Sequence, residues 1–103
     1  MTEFSLQHLQ RILASEVSML SDAAAATYAL HAVEPFVAWR KLGSEREPTF
    51  VVAQAGSEVL YYDDVEEEFG TATIDGGTLW LSDVGTWGGG LEWALHHFPA
   101  SSN

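Results

Sequence analysis

Cysteine is absent from all 103 residues, which excludes a disulfide framework, thiolate metal ligation and a cysteine nucleophile. Lysine and arginine are scarce, four against fifteen acids, and the last of them is Arg46. Residues 1–48 hold six acids (Glu3, Glu16, Asp22, Glu34, Glu45, Glu47) and all four bases (Arg11, Arg40, Lys41, Arg46), a net of −2, whereas residues 49–103 hold nine acids and no base, a net of −9. Such a half-chain repels polyanions, because binding to nucleic acid or an anionic membrane rests on cations that neutralise phosphates. Those two partner classes are therefore disfavoured and a basic protein is favoured, although an acidic source proteome would give the same charge without any partner. No apolar run approaches the roughly 18 residues of a membrane span. The opening Met1-Thr2-Glu3-Phe4 carries no basic stretch followed by an apolar one, so a cytoplasmic location is expected.

What is present is apolar mass: 47% hydrophobic and 12% aromatic residues, enough for one packed interior that needs no cofactor. The length suits one domain, residues 1–103. From Leu6 through Leu9, Leu13, Val17, Leu20, Ala24 and Tyr28 to His31 the apolar positions step by three or four, the spacing of one helical face. Helix is expected over residues 3–34, capped by Thr2 or Ser5 and ended by Pro35. One helix of that length would run about 45 Å, too long for a 100-residue globule, and Ser21-Asp22 ahead of four alanines reads as a second N-cap; a helix pair with a break near residue 21 follows.

Beyond Pro35 the pattern turns to short β-type runs within residues 36–82: Phe36 to Arg40, Phe50 to Gln54, Val59 to Tyr62, Gly70 to Ile74 and Thr78 to Leu81. Gly43 to Pro48 reads as a polar loop, Gly56-Ser57 as a tight turn and Asp75-Gly76-Gly77 as a hairpin tip. A short helix over residues 90–98 follows, with Leu91, Leu95 and Phe98 on one face and Pro99 as its stop. The expected class is α+β: an N-terminal helix or helix pair, a four- to five-stranded antiparallel sheet and a short C-terminal helix.

The segment Tyr61-Tyr62-Asp63-Asp64-Val65-Glu66-Glu67-Glu68-Phe69-Gly70 places five acids among aromatics at the junction of two strands. Its spacing does not match an EF-hand, which needs oxygen ligands at alternate positions and a central glycine. Paired carboxylates can do acid–base work, but residues 49–103 supply no Lys, Arg or Cys to stabilise an anion or act as nucleophile. No enzyme and no metal site is expected. His8, His31, His96 and His97 show no zinc-binding spacing, and adjacent His96 and His97 point to different helix faces. Gly88-Gly89-Gly90 ahead of a helix lacks the lysine and Ser/Thr of a phosphate loop and reads as a flexible entry to that helix.

Binding explains the same residues with fewer assumptions. A few aromatic anchors supply affinity while surrounding charge speeds encounter and fixes orientation. The candidate partner-binding residues are Tyr61, Tyr62, Asp63, Asp64, Glu66, Glu67, Glu68 and Trp87, with Phe69 and Trp80 as further anchors. About half of these aromatics should face inward; Tyr62 and Trp80 take the wet face if Tyr61 and Leu79 are buried, and the opposite register is equally allowed.

With Tyr61 to Gly70, Asp75-Gly76-Gly77 and Gly85-Thr86-Trp87-Gly88-Gly89-Gly90-Leu91-Glu92-Trp93-Ala94-Leu95 in view, the chain resembles the small acidic immunity proteins that bacteria encode beside secreted polymorphic or type VI toxins. The resemblance covers roughly residues 58–98 and is one of style and size. It implies a cytoplasmic inhibitor that binds a cognate toxin, often occluding the active site of a basic nuclease or other enzyme. A phage-type inhibitor that imitates nucleic acid and a small ligand-binding module stay open, as does a homodimer.

Overall fold

A computed structural model describes residues 6–42, 44–64, 66–82 and 87–99, with backbone alone at residues 42, 87 and 88. Helix α1 is Leu6–Ser18 and α2 is Asp22–His31. Between them the N–H groups of Met19 and Leu20 bond three residues back, to Glu16 and Val17, which tightens and ends α1. Ser21 then caps α2, its extended backbone and its Oγ accepting the Ala24 N–H at 3.2 Å. The break lets both helices lie against the sheet of a molecule whose longest dimension is 40 Å.

The second helix ends at His31, earlier than Pro35 would require, and strand β1 occupies Ala32–Leu42. Pro35 does not stop a helix; it sits where the pairing shifts between Ala32/Ala53 and Phe36/Val51, an irregularity that spares the ladder the missing N–H. Strand β2, Glu45–Ala55, likewise takes in most of the expected polar loop. Pro48 is tolerated there because β2 pairs with β3 only from Phe50/Tyr62 onward, leaving it a neighbour on one side.

Strands β3 (Glu58–Asp63) and β4 (Glu68–Ile74) continue the antiparallel meander, with Gly56 at φ +63° in the tight turn that precedes β3. Residues 75–77 stand at the following hairpin tip, where the Asp75 carboxylate accepts the N–H groups of Gly77 and Thr78. Strands β5 (Leu81–Ser82) and β6 (Trp87–Gly89) both pair with β4, at its far and near ends. Helix α3 is Leu91–Leu95, shorter than the expected 90–98, because from His97 onward the N–H groups bond three residues back.

The sheet curls until its ends meet. The Trp39 N–H of β1 donates to the Leu79 carbonyl at 2.8 Å, and Trp39 pairs in parallel with Trp80. Curl and helices together bury both faces. Leu9, Leu13, Val52, Leu60, Tyr62, Phe69 and Leu91 pack between helices and sheet, while Ala38, Val51, Val59, Tyr61, Ala72, Ile74 and Leu81 fill the inside of the curl.

Candidate functional site

Cross-strand partners share a face, so the register sorts the acidic block. Asp63 lies opposite Glu68, and Tyr61 opposite Gly70, toward the inside of the curl; Tyr62 lies opposite Phe69, toward the helices. Tyr61 is fully buried, and Tyr62, at 3% exposure, packs against Phe69 with ring centroids 4.9 Å apart. Neither tyrosine is available as a surface anchor. The expectation of one wet and one dry tyrosine fails because this sheet has no wet face at β3.

Asp63 is also buried, and it is not left without a base. Arg40 reaches across from β1, and its Nη2 donates both to Asp63 and, at 2.9 Å, to Glu47. Burial disfavours the Arg40 charge, but the hydrogen bonds to Glu47 and Asp63 outweigh it and hold the guanidinium above its ordinary pKa. Arg40 Nε, Tyr61 Oη and Glu68 Oε2 are buried without a partner among the described residues, so the half-buried Glu68 turns one carboxylate oxygen into this interior. Burial raises the Tyr61 phenol pKa, with Arg40 acting the other way.

What remains outside is the turn between β3 and β4. Glu66 and Glu67 are exposed, Asp64 is half-buried, and among the described residues no salt bridge reaches any of the three. Glu67 stands at φ +58°, a left-handed conformation that glycine or asparagine adopts at least cost. The Asp64 pKa is raised, first by partial burial and then by the charges of Asp63 and Glu47, against a backbone hydrogen bond that lowers it. The field of Glu67 and Asp64 also adds to the burial that raises Tyr62.

Surface aromatics do stand on other strands, and Trp80 lies past the end of β4 that is far from this turn. Val37 and Trp39 of β1 face the same way as Phe50 and Pro48 opposite them on β2. Trp39 is half-buried, with the Arg46 guanidinium 4.3 Å above its ring, and its bridge partner Trp80 is 36% exposed. Leu79, also exposed, holds φ +60°, fixed by its N–H to Asp75 and its carbonyl from Trp39. Trp80 was accessible to sequence reasoning; Trp39 was missed, since nothing in its local run distinguishes it from core. Trp87 enters β6, but its side chain, like Val65, lies outside the described residues.

The Gly88-Gly89-Gly90 run is shaped by close approach more than by flexibility. A Cβ on Gly89 would come within 2.8 Å of the Trp93 ring, and one on Gly90 within 3.0 Å of a Glu16 carboxylate oxygen. Glu16 accepts the Leu91 N–H at 2.9 Å, while Glu92 accepts the backbone N–H and hydroxyl of Ser21, both at 2.8 Å. Each acid thus satisfies free donors at the start of a different helix. Among the described residues no set of three or more potential ligands converges on a metal position, and no helix is long and apolar enough to cross a membrane. Comparison with protein-family models, curated proteins and solved structures finds no match for this chain.

Proposed function

We infer that this chain is a protein-binding inhibitor that meets a basic partner with the β3–β4 turn and the aromatic surface of β1. The observation that carries this reading is the division of the acidic block. Arg40 is engaged by Asp63 and Glu47 inside, while among the described residues no salt bridge reaches the exposed Glu66 and Glu67 or the half-buried Asp64. A glutamate held at φ +58° where glycine would be cheaper is a further sign that its charge has a use. Uncompensated exposed acids steer a cationic partner, and Trp39 and Trp80 offer area for anchoring.

Small size, acidity and lack of cysteine fit the immunity-protein reading, in which the partner is a cognate toxin and the inhibitor works in the cytoplasm. The test is paired capture from the native cell with the parent chain and with Glu66→Lys/Glu67→Lys as baits. One basic protein retained by the parent, depleted by the variant and toxic when expressed alone supports the reading. A partner held equally by both baits would refute the acidic face, and a nucleic-acid-binding complex would point to the mimic instead.

A further inference from the structure

Away from the acidic turn, an open cleft lies between the end of α1 and α3, lined by Glu16, Met19, Glu92, Trp93, His96 and His97. Its chemistry is that of a receptor for a cation. Among the described residues no lysine or arginine lines it, two carboxylates do, and its largest apolar surfaces are exposed: Met19 at 68% and Trp93 at 37%. The acids are not free to fold away. Glu16 is held by the Leu91 N–H through one oxygen, Oε1, and no donor among the described residues takes the other. Glu92 is fixed by Ser21 and by the His96 ring at 3.1 Å. The Trp93 indole is braced as well, by the Gly89 backbone and by the His97 ring with centroids 5.2 Å apart.

We propose that this cleft takes an arginine side chain of the protein partner, its guanidinium stacked on Trp93 and donating to the second oxygen of Glu16. A guanidinium suits the site better than an ammonium, because it is planar, stacks on aromatic faces and donates sideways to carboxylate at the same time. The chain already uses that stacking where Arg46 lies over Trp39. A preformed, rigid aromatic beside a fixed carboxylate loses little conformational freedom on binding. The inference rests on the reading of this protein as the partner of a basic protein, and adds to it a contact about which the acidic turn says nothing.

The test needs no partner. The full chain is titrated with N-acetyl-arginine amide and, separately, with the uncharged N-acetyl-citrulline amide, at pH 8, above the ordinary imidazole range, following the Trp93 indole N–H by NMR. The arginine probe should shift that signal saturably and citrulline at least about tenfold more weakly. Trp93→Ala should abolish the effect on the remaining cleft signals. Glu16→Gln, which keeps an oxygen for the Leu91 N–H while removing the charge, should weaken it with the fold intact. Equal shifts from both probes, no saturation, or a parent-like titration in Glu16→Gln would overturn the proposal. Glu66→Lys/Glu67→Lys should leave this titration unchanged, so failure of the cleft and failure of the acidic turn are read separately.

Discussion

The Arg40 guanidinium on β1 is hydrogen-bonded to the Asp63 carboxylate on β3, across the intervening strand β2. That bond ties the base of the acidic turn to the first strand and removes one acid of the block from the surface. It also sets a stability cost. Arg40→Met leaves Asp63 and Glu47 partly or wholly buried without a counter-charge, and should destabilise the fold by about 3–5 kcal/mol in urea unfolding. Adding Asp63→Asn should recover part of the loss. A cost under about 1 kcal/mol would show that these acids are solvated as surface pairs are.

Burial of the tyrosines appears at high pH. The phenols of Tyr28, Tyr61 and Tyr62 are raised above their ordinary value, burial being the largest cause in each. An unfolded tyrosine ionises near pH 10, whereas the native phenols hold their protons to higher pH, so the native state binds more protons there and stability falls as pH rises above about 10. Phenolate absorbance should therefore rise at higher pH in the folded protein than in the urea-unfolded chain. Independent titration of all three near pH 10 in folded protein would contradict their burial.

At Glu67 stability and binding should part. Glu67→Gly relieves the left-handed backbone and removes one exposed charge, so it should raise stability by about 1 kcal/mol while slowing association with the partner. A variant that is less stable would mean that the glutamate side chain holds the turn.

The helix pair was legible because its signals are local: the three-to-four spacing from Leu6 and the serine cap at Ser21 lie within a few residues of the structure they specify. The same holds for the turn at Gly56 and the hairpin tip at Asp75. The fate of Tyr61 and Tyr62 was not legible, since strand alternation assigns one of two neighbours to water, whereas here the helices cover Tyr62 and the closure of β1 onto residues 79 and 80 encloses Tyr61. Arg40 lies 23 residues from Asp63, so a count of charges by half-chain could not pair them. Pro35 and Pro48 misled for the opposite reason: each reads as a breaker locally, and the register places each where a missing N–H costs little.

Gly89 should prove to be a packing position. Gly89→Ala drives a Cβ into the Trp93 ring and should cost about 1–3 kcal/mol. In a Trp93→Ala background the same change should cost under about 0.5 kcal/mol, and the difference measures the contact. Equal costs in both backgrounds would place the effect in the backbone of β6.

The central claim is that Asp64, Glu66 and Glu67 act on a partner through their charge. Stopped-flow association of the captured partner with the parent and with Glu66→Lys/Glu67→Lys, across a salt series, tests it most directly. The parent rate should fall steeply as salt rises, since exposed charges are screened over about 8–10 Å at physiological ionic strength. The variant should associate about 10- to 100-fold more slowly at low salt, with a flatter salt dependence, while its urea midpoint stays that of the parent. A variant that associates as fast as the parent at low salt, with the same salt slope, would contradict the account and leave the acidic turn a solvated loop.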